Sequence, residues 1–263
     1  MNLQLKDKVV LITASSKGIG KAAAELFLNE GSKVVICSSN ADNLRSAADD
    51  LKSITGNEPL AGVCNLNKPK DLINIINLSK EEFGNIDVLV NNCGGPVPGM
   101  FNDLDDGNWQ HAVDQVLMSV VRLTREVLPN MKNNNWGRII NITSLSVKQP
   151  VENLMLSNSL RSAVTAFAKT LSNEIGKYNI TVNNVAPGYT LTSRLHELAE
   201  LRAEAKGISK EEMFDEMASI VPMNRLADPN EVAAMIVFLA SEQACYITGQ
   251  TIAVDGGVIK STY

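Results

Sequence analysis

The sequence predicts a three-layer α/β domain with a doubly wound parallel sheet, and three observations carry that expectation. Short apolar, β-branched runs alternate with amphipathic helical stretches six times along the 263 residues. The first run, Val9 to Thr13, stops at a loop of small residues and gives way at once to a helix with Ile19, Ala22, Ala23, Leu26 and Phe27 on one face. The chemically distinctive residues fall just beyond the carboxyl ends of strands, where doubly wound sheets bind their ligands.

Taken in order, Gly31 ends the first helix and Lys33 to Cys37 reads as a second buried strand. Ala41 to Ile54 has helical spacing in Leu44, Ala47, Ala48 and Leu51. Leu60 to Cys64 is a third strand, followed by a helix carrying Leu72, Ile75, Ile76 and Phe83. Ile86 to Val90 is a fourth and runs into N-N-C-G-G-P-V-P-G, richer in Gly and Pro than a plain connection needs. One long helical region is expected from Asp105 to Met131, then strand Arg138 to Thr143, helix Leu154 to Tyr178 and strand Thr181 to Ala186. Thr192 to Met217 is polar and helix-prone, and the insert at about 190–222 reads as a helical lid beside a cleft. A capped helix, Pro229 to Ala240, and a short strand, Thr251 to Val254, close a single domain over 1–263.

Composition excludes several classes of function. With 44% hydrophobic and 20% charged residues the chain is an ordinary globule rather than a disordered one. A net charge of −5 with scattered Lys and Arg gives nucleic acid or a membrane surface nothing to bind. The start, M-N-L-Q-L-K-D-K, has no apolar segment, so a cytoplasmic protein is expected. Cys37, Cys64, Cys93 and Cys245 fall singly and read as reduced, buried small hydrophobes. His111 and His196 are too few for a histidine metal site, and no metal is expected.

The junction after the first strand points free backbone N–H groups and the positive end of a helix dipole at whatever lies above it, which suits a phosphate. Gly18 and Gly20 allow a close approach of the backbone. Taken alone, the same loop could be no more than a tight strand-to-helix turn. The polar residues at the other strand ends, Ser38 and Ser39, Asn65, Asn91 and Asn92, Ser144, and Pro187 to Thr192, converge on the same edge and favour a dinucleotide.

At this point the chain resembles the short-chain dehydrogenase/reductase family over essentially its whole length, in the manner of 3-oxoacyl-[acyl-carrier-protein] reductase-like proteins. T-A-S-S-K-G-I-G at Thr13 to Gly20 is similar to the family's T-G-x-x-x-G-x-G, with Ala14 in place of the first glycine. N-N-C-G at Asn91 to Gly94, P-G-Y-T-L-T at Pro187 to Thr192 and D-G-G at Asp255 to Gly257 match its later motifs. The resemblance implies a Rossmann-type fold and a nicotinamide cofactor held by Thr13, Ser15, Ser16, Lys17, Gly18, Ile19 and Gly20. It places Asn65 and Leu66 beside the adenine, Asn92 and Gly94 along the cofactor, and Pro187, Gly188, Thr190 and Thr192 near the nicotinamide. NAD-binding members carry a carboxylate at the end of strand two; Ser38 and Ser39 stand there instead, and Lys17 adds a positive charge. NADP is therefore expected over NAD. A homo-oligomer, dimer or tetramer, is also implied.

The family's usual Ser, Tyr-x-x-x-Lys and Asn set is where the chain departs. Ser144 falls at the serine position, but Ser157 stands at the tyrosine, Arg161 at the lysine and Val116 at the asparagine. Ser157 and Arg161, four apart on a helix, still share a face. A serine hydroxyl is a much weaker acid than a tuned tyrosine, and arginine stays protonated. Ser144, Ser157 and Arg161 are the candidate catalytic groups, with Arg161 able to fork its donors onto the cofactor ribose or onto developing negative charge. Ser144 either touches substrate or caps the loop after strand five. Tyr189 is a candidate proton donor or an apolar wall, Tyr178 lies too far along the helix, and His111 reads as a surface or interface residue. The expected function is an NADP-dependent oxidoreductase acting on the carbonyl or alcohol of a small hydrophobic substrate. The alternative is an NADP-binding protein that has lost reductase activity and works as a sensor or assembly partner.

Overall fold

The computed structural model describes residues 2–262. β1 (Val9–Ile12) leads into α1 (Gly18–Asn29), β2 (Lys33–Ser38) into α2 (Ala41–Thr55), and β3 (Leu60–Val63) into α3 (Pro69–Glu82). β4 (Val88–Asn91) is followed by α4 (Asp106–Ala112), a π-helical turn at Val113–Met118 and α5 (Ser119–Asn133). β5 (Gly137–Ile142) precedes α6 (Met155–Ile175), and β6 (Ile180–Pro187) precedes α7 (Ser193–Lys206) and α8 (Lys210–Ile220). α9 (Pro229–Ala240) and β7 (Thr251–Val254) complete the order.

The seven strands form one parallel sheet in the order β3-β2-β1-β4-β5-β6-β7. Because successive strand residues face opposite sides, Val10, Ile12, Val34 and Ile36 pack under α1, α2 and α9. Their neighbours Val9, Leu11, Val35 and Cys37 pack against α3, α5 and α6. Both faces are thus covered, as the continuous apolar strands require. β3, at the edge, alternates half-buried and exposed residues instead. Among the described residues no helix is long and apolar enough to cross a membrane.

Buried asparagines set the register of the sheet's second half. Asn91, Asn141, Asn184 and Thr251 are paired across β4, β5, β6 and β7. Asn91 Nδ2 donates to Asn141 Oδ1 at 2.9 Å, Asn141 Nδ2 to Asn184 Oδ1 at 2.9 Å, and Asn184 Nδ2 to Thr251 Oγ1 at 3.0 Å. A slip of one residue would turn every amide of the row to the opposite face and orphan it.

The structure corrects several sequence expectations. The long helix expected from Asp105 to Met131 is interrupted: the Ser119 N–H reaches back five residues to Asp114 O, and Ser119 Oγ takes the Gln115 carbonyl at 2.6 Å. α6 ends at Ile175 rather than Tyr178, passing through a 3₁₀ turn to Asn179 at φ +55°. Within the expected helical insert at about 190–222 lie two helices, α7 and α8, that bury Leu195, Ala199, Ala203, Met213 and Met217 between them. Cys245 is exposed, and Cys93 is only half-buried. Cys37 and Cys64 are buried and neighbour each other, and the hydrogen bond to Cys64, followed by burial, pushes the Cys37 thiol well up from its usual range.

Asn141→Ala removes the middle of the row and leaves two buried amides short of partners. It is expected to destabilise the protein by about 2–4 kcal/mol, read as a lower urea midpoint with an unchanged slope.

Candidate cofactor and substrate cleft

A cleft of about 630 Å³ runs over the carboxyl ends of the strands. Its floor at one end is the glycine loop, which the chain holds from beneath. Thr13 Oγ1 donates to Asn92 O at 2.6 Å and accepts from Asn92 N at 2.8 Å, tying the ends of β1 and β4 together. Ser15 Oγ donates to Ile12 O at 2.7 Å and accepts from Cys37 N at 3.0 Å. Asn92 Nδ2 donates to Ala14 O at 2.9 Å. Thr13 and Ser15 are buried and do not line the cleft. Their side chains shape the loop from behind, where the sequence leads us to expect cofactor contacts.

Gly20 also lies behind the cleft surface, where a Cβ would stand 2.8 Å from Ala14 O, 2.8 Å from Asn92 Nδ2 and 2.9 Å from Ser15 Cα. Its bare backbone is what lets α1 dock against the loop. Ala14, where the family has glycine, sits in the left-handed region at φ +45°. That conformation costs a side chain roughly 1–2 kcal/mol, and the bond from Asn92 holds it in place.

The cofactor-side residues named from sequence line one continuous surface: Ser16, Lys17, Gly18, Ile19, Ser38, Ser39, Asn65, Leu66, Asn92 and Gly94. Ser16 Oγ donates to Ser38 Oγ at 3.1 Å, so the loop after β1 and the end of β2 meet at a patch of hydroxyls beside exposed Lys17. Among the described residues, no Asp or Glu lines the cleft. Asn65 Oδ1 accepts from Asn67 N at 3.0 Å, which fixes the turn after β3. This cradle fits a dinucleotide with a 2′-phosphate: free N–H groups at the start of α1, hydroxyls and a lysine at the ribose end, and no carboxylate to repel the charge.

Pro187, Gly188, Thr190 and Thr192 line the other wall. Thr192 Oγ1 caps α7 by accepting from Leu195 N at 3.3 Å, and its methyl group lies 3.0 Å from where a Gly18 Cβ would be. The first turn of α7 is thereby seated against the glycine loop. Behind it, Gly188 packs against Asp255, whose carboxylate accepts from Gly257 N and Ile259 N at 3.0 and 2.8 Å.

Ser144, Ser157 and Arg161 all line the same cleft. Ser144 Oγ accepts from Ser146 N at 3.1 Å and so caps the turn after β5. Ser157 is buried, and its hydroxyl has no hydrogen-bond partner among the described residues. Arg161 is also buried, and its Nη1 donates to Ile142 O at 2.9 Å and Thr143 O at 3.2 Å, satisfying the carbonyls at the end of β5. Val116 is buried in the π-helical turn among Val120, Leu156, Leu160 and Val164. Tyr189 is half-buried, wedged between the α7–α8 cluster and the cluster of Leu145, Val221 and Val258. His111 is exposed at the rim, its Nε2 3.1 Å from Asn67 Nδ2. Tyr178 does not line the cleft.

Sequence reasoning missed Arg194, Leu198 and Arg202, which line the cleft from α7. The signal was there in their four-residue spacing directly after P-G-Y-T-L-T. It also missed Gln115, whose Nε2 donates to Gly94 O at 3.2 Å from the π-helical turn.

The family model described as enoyl-(acyl carrier protein) reductase matches residues 13–259. The chain is a short-chain dehydrogenase/reductase. It is similar to the NADPH-dependent reductase BacG of Bacillus subtilis strain 168, at 32% identity over 98% of this chain and 100% of the relative. It is 33% identical to the 3-oxoacyl-[acyl-carrier-protein] reductase FabG of Vibrio cholerae serotype O1, covering 97% and 99%. Among solved structures, L-sorbose reductase from Gluconobacter frateurii, complexed with NADPH and L-sorbose, superposes with a TM-score of 0.94 at 34% identity, covering 99% of this chain and all of that one. This short-chain dehydrogenase/reductase is an oxidoreductase, as its family membership and these relatives establish.

Two substitutions test the cradle. Gly20→Ala forces a Cβ into backbone atoms and is expected to cost about 1–3 kcal/mol of stability, with weaker NADPH binding in a fluorescence titration. Ala14→Gly relieves the left-handed strain but loosens the unfolded chain, and is expected to change stability by no more than about 1 kcal/mol.

Proposed function

We propose that this short-chain dehydrogenase/reductase is an NADPH-dependent carbonyl reductase that works without a tyrosine proton donor. The observation that carries the reading is the meeting of two things in one cleft: the hydroxyl-and-lysine cradle at the ends of β1 and β2, and an unpartnered Ser157 hydroxyl beside Arg161. Bound NADPH supplies the hydride. Lys17, Ser16, Ser38 and Ser39 hold the 2′-phosphate end, the backbone at Gly18 and Ile19 holds the pyrophosphate, and Thr190 and Thr192 orient the nicotinamide end. Names such as BacG and L-sorbose reductase, each tied to NADPH, support the same cofactor.

Ser157 Oγ, free to donate, takes the substrate carbonyl oxygen, with Ser144 beside the turn it caps. Arg161 is fixed by two main-chain carbonyls and so presents a permanent positive charge where negative charge develops. It cannot relay a proton, because a guanidinium does not deprotonate. Acid help is worth about 10²–10⁴-fold, so the residues present favour carbonyls that are already electrophilic. α7 and α8 serve as the lid over the substrate side. A cytoplasmic homo-oligomer completes the reading, and a monomer by light scattering would count against that part alone.

Purified protein assayed by NADPH oxidation with a panel of ketones, quinones and imines is expected to turn over at least one of them. Ser157→Ala is expected to lower kcat by about ten- to a hundredfold with little change in NADPH affinity. No turnover across the panel, together with micromolar or tighter NADPH binding, would overturn the reductase reading in favour of a non-catalytic NADP-binding protein.

Ser38→Asp places a carboxylate at the end of β2 and is expected to lower the preference for NADPH over NADH by about tenfold or more. An unchanged ratio of kcat/KM values would show that the 2′-phosphate is read elsewhere.

A further inference from the structure

The chain carries more acids than bases, 29 against 24, yet the cleft gathers Lys17, Arg161, Arg194 and Arg202 with no Asp or Glu on its walls. Two of these cations are already engaged in the reading above. Lys17 stands at the cofactor's phosphate end, and Arg161 is bound to the carbonyls of β5. Arg194 and Arg202 stand outside that reading.

They stand on α7, which follows β6, whereas the cofactor's 2′-phosphate patch follows β1 and β2. β2 and β6 are four strand positions apart in the sheet, or roughly 19 Å at about 4.8 Å per strand. The first turn of α7 is seated on the glycine loop through Thr192, but Arg202 lies ten residues beyond it, about 15 Å along the helix axis, and so stands apart from that patch. Arg194, Leu198 and Arg202 are spaced four apart, so one stripe of α7 presents a guanidinium, an apolar patch and a second guanidinium to the cleft. The two arginines are about 12 Å apart along the helix axis.

The acids of α7 that form ion pairs are spent on bases other than Arg202. Glu197 meets Arg194 Nη1 at 3.4 Å from an exposed position, and Glu200 pairs with Lys210 of α8 at 3.7 Å. Arg194 Nη2 also donates to Pro96 O at 2.9 Å, which draws α7 toward the loop after β4. Arg202 is half-buried and has neither a hydrogen bond nor an ion pair among the described residues. A half-buried guanidinium on a wall without carboxylates is open to pairing with an anion.

We propose that the substrate of this reductase is an anionic carbonyl compound, with a carboxylate or phosphate remote from the carbonyl held by Arg202 and its chain lying along Leu198. The inference rests on the carbonyl-reductase reading and narrows its substrate class. Arg194, already held by Glu197 and Pro96 O, sets the position of α7 and contributes less to the grip.

The test uses the full chain loaded with NADP⁺, so that binding is read without turnover. Keto acids with two to six carbons between carbonyl and carboxylate are titrated calorimetrically against their own methyl esters, and keto alkyl phosphates against the corresponding neutral alcohols. The anionic member of at least one pair is expected to bind about tenfold tighter or more. Whether the acid or the phosphate series shows the larger ratio identifies the anion. In Arg202→Gln the ratio is expected to fall to within about twofold, with an NADPH affinity equal to the wild type's as the control for folding.

Equal binding of charged and neutral partners throughout, or a preference that survives in Arg202→Gln and in Arg194→Gln/Arg202→Gln, overturns the inference. Parallel NADPH-oxidation assays keep the two readings apart. Anion preference without turnover of any compound leaves the anion site standing and removes the reductase. Turnover of neutral ketones with no anion preference does the reverse.

Discussion

The row of side-chain amides running from Asn91 through Asn141 and Asn184 to Thr251 is the constraint on which the working half of this sheet depends. Apolar contacts alone would hold β4 to β7 together but would tolerate small shifts, because Val, Ile and Leu pack in more than one register. Buried amides do not tolerate them, since each must keep its partner or carry the cost of an unmet hydrogen bond. The row therefore fixes the relative height of four strands. Residues at the carboxyl ends of three of them, Asn92 to Gly94, Ser144, and Pro187 to Thr190 with Thr192, line the cleft. Precision at the site is inherited from polar groups beneath it.

The other half is fixed by a different device. Thr13, Ser15 and Asn92 bind main-chain groups of β1, β2 and β4, so the glycine loop is suspended from its neighbours before any ligand arrives. This scaffolding explains how Ala14 is kept in a left-handed conformation. Asn92 holds its carbonyl, and Gly20 leaves that carbonyl the room it needs. A loop organised in advance loses less entropy on binding than one that must be ordered by its ligand. Polar residues that look like ligand contacts in sequence are here the supports of the surface that the ligand would touch.

What could be read from the sequence follows from this division. The sheet, its helices and the location of the cleft were legible because strand ends, glycine loop and helix periodicity are local signals. The π-helical turn was not, since Val113 to Met118 keeps an apolar pattern that suits an ordinary helix, and the extra residue is revealed only by the Ser119–Asp114 bond. Thr13 and Ser15 were legible as part of the loop but not as its underside, because the direction of a side chain in a tight turn depends on backbone angles that composition does not encode. Cys245 was misjudged because no periodic pattern covers the segment between α9 and β7. Arg194 and Arg202 lie inside a polar stretch whose orientation the sequence leaves open. Only when α7 is seated on the glycine loop through Thr192 does their stripe turn toward the cleft.

The same seating bears on the reaction proposed for Ser157 and Arg161 in place of a tunable acid and its lysine. Arg161 spends Nη1 on the end of β5, so its charge stays put and cannot follow a proton. A site of this kind stabilises charge well and donates protons poorly. It works best on a substrate whose own electronic structure lowers the barrier and whose position is set tightly, since orientation can replace part of what general acid catalysis would contribute. A second point of attachment on α7, distant from the reacting carbonyl, supplies that orientation. Remote binding energy and a weak local acid are then two sides of one arrangement: the further the substrate is gripped from its reacting end, the less the residues beside that end are required to do.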